Sequence, residues 1–357
     1  MAARIKYFDI AKGIAIICVP LGHSILIVND SHPVGMGSML LYGIIFTFHM
    51  PLFFVLSGYF MHPKHEFRWR RESQEMLATY AITATAVVLM NTCIAFARRT
   101  GTKAAFANWA AAAFYGAGDF SPNYLWPVPM RIGAIWFLLA LFWGHLFMTW
   151  AAKHKYTPVW VAAICLIGYF SGKVFWFPLS IQSGMTATGF IYLGYLAKQY
   201  NLLDFLKRHL YYWAIPAIIW VLFAWKFTGF SIAMNSYGKY PVLDLIGSLA
   251  ATLCVVGISM IIDRWIPSVG KLLALAGQYT LPLLCTHLLE DDTTPWPDAV
   301  SLAVSAVGLQ AAPYLIFVLR FAVDCLLAWL LYYIPKINVL FFPSLKKQEI
   351  KQTGTTN

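Results

Sequence analysis

Residues 8–28 read FDIAKGIAIICVPLGHSILIV. Apart from Asp9, Lys12 and His23, every side chain in this run is apolar or small. As a helix it would extend roughly 30 Å, which is the thickness of a bilayer's hydrocarbon layer. It therefore reads as a membrane span that carries a cation near its start and an imidazole eleven residues further on, about 16 Å deeper. Charged and ionisable groups inside a bilayer are costly, so each needs a partner or a task.

The rest of the chain agrees with that reading. Of 357 residues, 60% are apolar, 17% aromatic and only 11% charged, against roughly 25% charged in an average soluble domain. The mean hydropathy of +0.65 extends over the whole length, which excludes an ordinary soluble enzyme and a disordered chain. The net charge of +11 would suggest a nucleic-acid partner in a soluble protein. In a membrane protein it follows from basic cytoplasmic loops, so no nucleic acid is expected. The six cysteines, Cys18, Cys93, Cys165, Cys254, Cys285 and Cys325, all lie in apolar runs without a C-x-x-C pair, and read as small core residues. No cleavage site follows the first apolar run, so it reads as a retained span.

Apolar segments near 10–28, 39–61, 77–97, 134–152, 159–178, 183–197, 211–225, 242–262, 272–289 and 314–334 predict an all-α, polytopic protein of about ten transmembrane helices. With the N-terminus inside, eighteen Lys and Arg fall in inner segments and seven in outer ones, which places both termini in the cytoplasm. The expected organisation is one transmembrane domain over 1–345 and a polar cytoplasmic tail over 346–357. Two short apolar stretches, 104–117 and 301–312, suit interfacial or re-entrant helices. The Pro-rich stretch 118–133 reads as an external loop that lines a site mouth.

His23, in LGHS, has small neighbours that leave room for a reactant, and a neutral imidazole can act as general base. His49, on the antiparallel second span, reaches a comparable depth; it either ties helices together or faces the same cavity. Pro51 is expected to break that span and expose carbonyls. Ser57 and Gly58 serve close packing or substrate contact. Trp136 and Lys173 line a cavity or anchor at the interface. Arg320 and Asp324 share a helix face and are expected to neutralise each other. His287 precedes Glu290, Asp291 and Asp292, an acidic outer mouth that is either a solvated loop or a hydroxyl-binding one. There is no phosphate loop, dinucleotide fingerprint, zinc pair or G-x-S-x-G elbow, so no metal is expected and ATP-driven transport is disfavoured.

FDIAKGIAIICVPLGHS, FTFHMPLFFVLSGYF from Phe46, IWFLLALF from Ile135, GFIYLGYLAK from Gly189 and LLALAGQYTLPLLCTH from Leu272 occur in this order. In that order and spacing the chain resembles the membrane-bound acyltransferase type 3 family, and within it the fucose 4-O-acetylase-like sugar O-acetyltransferases. The resemblance implies transfer of an acyl group, usually acetyl, from acyl-CoA to a hydroxyl of a cell-surface or envelope sugar, in a multi-pass protein of the bacterial cytoplasmic (inner) membrane. Acetyl-CoA would be a co-substrate rather than a permanently bound cofactor. The family's basic residue, ten residues and a histidine correspond to Lys12 and His23, although many members carry arginine where this chain has lysine, and lysine is a point charge rather than a fork. His23 is expected as base, Lys12 as oxyanion or phosphate partner oriented by Asp9, and Lys12, Arg68, Arg70 and Arg71 as the acyl-CoA phosphate site. His49, Ser57, Trp136 and His287 are expected at the acceptor. The expected partners are acyl-CoA, a glycan, the bilayer and envelope-synthesis proteins. Two rivals remain at this level: a secondary transporter of a polysaccharide or lipid-linked sugar, and a non-catalytic component of an envelope-synthesis complex.

Overall fold

The computed structural model describes residues 5–342; the expected tail at 346–357, with Arg4, Lys346, Lys347 and Lys351, lies outside the described residues. The principal helices are α1 (Lys6–Ser31), α2 (Met36–Phe60), α3 (Trp69–Ala97), α4 (Thr102–Tyr115), α5 (Trp136–Ala152), α6 (Thr157–Ser171), α7 (Ile181–Gln199), α8 (Ala214–Trp225), α9 (Pro241–Trp265), α10 (Pro267–Gln278), α11 (Thr280–Thr293), α12 (Trp296–Val307) and α13 (Ala312–Tyr332). Among the described residues the only sheet is a hairpin pairing Phe230–Ser231 with Ser236–Tyr237. The fold is all-α, as expected for a chain whose backbone polar groups must be satisfied within lipid.

This is a multi-pass membrane protein. Six helices are long and apolar enough to cross: α1, α2, α3, the stretch Gly133–Ala152 that contains α5, α9 and α13. The pair α10 and α11, bent by 70° at Tyr279, makes a seventh if it is one broken span. Helices also occupy the other expected segments, but α6 and the stretch Leu210–Trp225 are shorter than a crossing. In α7 the polar residues Gln182, Ser183, Thr186 and Thr188 are all buried against neighbours, which lowers its apolar content.

Two expectations are corrected. Helix α2 runs from Met36 to Phe60 with Pro51 inside it, so the expected break is absent: a proline removes one backbone donor, and the helical bonds on either side of it persist. Lys173 does not lie deep in a span: α6 ends at Ser171, and Lys173 sits in the following turn with its ammonium 5.0 Å from the Tyr169 ring centre.

The helices are held by close backbone approach, the packing that lipid favours because apolar burial alone gives no preference between lipid and protein. A Cβ on Gly13 would lie 1.9 Å from the Leu273 carbonyl oxygen, and one on Gly277 would lie 1.8 Å from that of Asp9, so α1 and α10 touch through reciprocal glycines. Gly58 and Gly194 do the same for α2 and α7, at 1.8 Å from the Ile191 oxygen and 1.9 Å from that of Val55. Since α1 carries both Lys12 and His23, its seat on α10 sets the depth of both. Gly277→Val is therefore expected to push α10 off α1 at a cost of about 1–3 kcal/mol or more. A fall in thermal stability and in monodisperse yield checks this; unchanged melting would contradict it.

Candidate functional site

Helix α1 presents Lys12 and His23 to two different cavities. Lys12, Ser57, Arg68, Arg71, Glu72 and His145 are among the residues lining the larger one, of about 880 Å³. His23, His49, Trp136, Asp119, Arg131 and Asp291 line the smaller one, of about 380 Å³. Val19, Met50 and Leu284 line both, so these three apolar side chains form the wall between them. The cavities open toward opposite ends of α1, since Lys12 belongs to one and Asp30 to the other.

At the Lys12 end the ammonium lies 2.9 Å from the carboxylate of Asp9, one turn earlier, and Asp9 is buried. Arg68 and Arg71 line this cavity, whereas Arg70 is exposed and does not. Arg71 donates from Nε to Glu75 at 2.8 Å. Ser57 Oγ lies 2.5 Å from His145 Nε2, and His145 Nδ1 lies 2.8 Å from Glu72 Oε2.

At the His23 end, Nδ1 lies 3.9 Å from Asp291 Oδ2, an ion-pair distance rather than a hydrogen bond. The edge of the His287 ring meets His23 with centres 5.1 Å apart, and Phe46 lies between His23 and His49, 6.5 Å and 4.7 Å from their centres. Because the Ile45 carbonyl 3.0 Å away only accepts, His49 Nδ1 is the donor, and in the neutral ring Nε2 is left as acceptor. Trp136 starts α5 and lines the cavity wall.

Behind His23 stands a buried charge cluster. Arg320, at 0% exposure, donates from Nε to Glu290 at 2.9 Å and from a terminal nitrogen to Asp291, with its guanidinium 5.3 Å from the Trp296 ring centre. This corrects the expected Arg320–Asp324 pair: α11 packs against α13 and presents Glu290 and Asp291 to Arg320, and Asp324 lies instead 3.4 Å from His287. The acidic run is not a solvated loop either. It continues α11, and Glu290 is only 1% exposed. His287 lies 2.8 Å from Glu290 and lines neither cavity; it packs behind His23. Ligand atoms of His287, Glu290 and Asp324 come within 4.8 Å of one another, a spacing a cation would accept, but Arg320 already occupies Glu290.

Glu72, His145, Asp119, Arg131 and Trp296 belong to the site without being expected there from the sequence. His145 was findable, since it is an ionisable residue inside the apolar run ALFWGHLFMTW from Ala140. The others depend on loop and helix packing that no local pattern specifies.

Against proteins of known sequence, residues 5–333 match the model of a family described as an acyltransferase domain, the acyltransferase 3 family. No curated protein and no solved structure is matched.

Proposed function

This chain belongs to the acyltransferase 3 family, and from that premise we propose that it transfers an acyl group, acetyl by preference, from acyl-CoA to a hydroxyl of a cell-surface or envelope sugar. The observation that carries the reading is the pair of cavities at opposite ends of α1, with Lys12 in one, His23 in the other and three apolar side chains between them. Acyl-CoA docks in the Lys12 cavity, at the cytoplasmic face of a bacterial inner membrane, with Arg68 and Arg71 toward its phosphates. The sugar enters the His23 cavity. His23 takes the proton of the acceptor hydroxyl, the oxygen attacks the thioester carbonyl, and collapse of the tetrahedral species breaks the C–S bond, so that CoA leaves as the thiol. Asp291, held by Arg320, faces Nδ1 and favours the imidazolium that forms. The transporter alternative finds no support in the family match.

The test is thiol release from acetyl-CoA by the protein in proteoliposomes, with a panel of envelope sugars followed by mass. The expected result is release above the sugar-free background together with acetylated sugar. If no sugar in the panel raises thiol release, the reading is overturned. Replacing both Arg68 and Arg71 with alanine is expected to raise KM for acyl-CoA about tenfold or more, since a charge-assisted contact contributes about 1.5–3 kcal/mol. An unchanged KM would remove the arginines from the donor site.

A further inference from the structure

The three groups Ser57, His145 and Glu72 come from three helices, α2, α5 and α3, and all line the Lys12 cavity. Their order is that of an activated nucleophile. A carboxylate only accepts, so His145 Nδ1 donates to Glu72 at 2.8 Å. In the neutral ring Nε2 is then the acceptor, and it faces the Ser57 hydroxyl at 2.5 Å. Glu72 is only 8% exposed and has Arg68 at 4.0 Å to hold its charge. A hydroxyl on one nitrogen of an imidazole and a carboxylate on the other is the arrangement that makes serine a nucleophile on unrelated folds, recognised by geometry rather than sequence position. No G-x-S-x-G pattern announces it, because Ser57 lies within a helix rather than on a strand-to-helix elbow.

We propose that Ser57, His145 and Glu72 form a catalytic triad through which the Lys12 cavity hydrolyses acyl-CoA by way of an ester on Ser57. The proposal rests on the reading of that cavity as the acyl-CoA site. Ser57 Oγ attacks the thioester carbonyl and its proton passes to His145 Nε2. The C–S bond breaks, the sulfur leaves with that proton as the CoA thiol, and the acyl group stays as a serine ester. Water then attacks the ester with His145 as base, the carboxylic acid leaves, and the proton returns to Ser57 Oγ. Lys12, which lines the same cavity, supplies a cation for the oxyanion of both steps. Ser57 lies eight residues from His49 along α2, about 12 Å, and so on the donor side of the wall. The triad thus acts on a donor whose carbonyl stops short of His23, and it needs no sugar.

The experiment incubates purified protein with isotopically labelled acetyl-CoA without acceptor, then measures thiol release and maps acetyl on tryptic peptides by mass. A second arm uses a fluorophosphonate, which captures an activated serine whatever its natural donor. Expected are sugar-independent thiol release, acetyl on the Ser57 peptide, and fluorophosphonate on the same residue. All three should be lost in Ser57→Ala and in His145→Gln and reduced in Glu72→Gln, with monodispersity checked for each variant. Ser57→Cys should still capture the acyl group, as a thioester. A polar network that only ties the helices together would give no adduct. Label on Ser57 from the fluorophosphonate with neither an acetyl adduct nor thiol release from acetyl-CoA would retain the activated serine but overturn both its acyl-CoA hydrolysis and the acyl-CoA reading of the cavity. If a parallel incubation with the sugar panel gives acetylated sugar while Ser57 stays unlabelled in both arms, the triad is overturned and the transferase reading stands. No label in either arm and no thiol release would overturn both.

Discussion

His23→Ala is expected to slow sugar acylation about 10²–10⁴-fold, the range a positioned general base contributes, while the protein stays folded. The folding half of the expectation follows from position. His23 faces a cavity rather than a packed core, and its contact to Asp291 at 3.9 Å is longer than a hydrogen bond. Asp291 keeps its Arg320 partner when the imidazole is removed, so no buried charge is left alone. The loss should fall on kcat more than on KM for acyl-CoA, because Lys12, Arg68 and Arg71 line the other cavity. Steady-state thiol release with a responsive sugar checks this. A monodisperse His23→Ala protein with wild-type kcat would mean that another group takes the hydroxyl proton.

Arg320→Met is expected to be the most damaging single change to the fold. It leaves Glu290 and Asp291 without the guanidinium that joins them, and Glu290 and the neighbouring Asp324 are each only 1% exposed. Removing one partner from a buried ion pair costs about 3–5 kcal/mol, because three carboxylates are then left to share the His287 ring, 2.8 Å from Glu290, and the His23 ring, 3.9 Å from Asp291. Lysine should rescue poorly, since a single ammonium lacks the fixed fork that donates to two carboxylates while its carbon sits 5.3 Å from the Trp296 ring centre. The sign of the pH dependence follows from which form is stranded. With the guanidinium gone, the carboxylates outnumber the two histidine rings beside them, and protonation relieves that excess, so the deficit against wild type should shrink as pH falls and grow as it rises. Thermal melts of both proteins across a pH series measure it, and a constant or inverted difference would show that the cluster is stabilised by something other than this cation.

Much of the architecture is legible in the amino-acid sequence, and the reason is physical. A bilayer requires long apolar runs and leaves ionisable residues conspicuous, so α1 with Lys12 and His23, and α2 with His49 and Ser57, stand out as spans with groups to explain. What stays hidden depends on shape. Arg320 and Asp324 are four residues apart on one helix, which suggests a pair, but the packing of α11 against α13 puts Glu290 and Asp291 at the guanidinium instead. The same packing covers a last turn of helix that reads as an acidic loop, with Glu290 buried in it. Glu72 and His145 are 73 residues apart and meet only because α3 and α5 pack side by side near the Lys12 cavity. Their spacing carries no signal, whereas the lone imidazole of His145 in an aromatic run does.

Val19, Met50 and Leu284 have an electrical meaning as well as a steric one. If water from opposite faces fills the two cavities, each face's potential is carried inward, and the membrane voltage then falls mostly across the three side chains that line both rather than over the full bilayer thickness. Carrying one elementary charge past them costs or yields about 2.3 kcal/mol per 100 mV, while a neutral acetyl group passes without that work. For the proposed reaction the consequence is a sorting by charge: an anionic donor body would stay on its own side, and only an uncharged fragment would be exchanged without drawing on the resting potential.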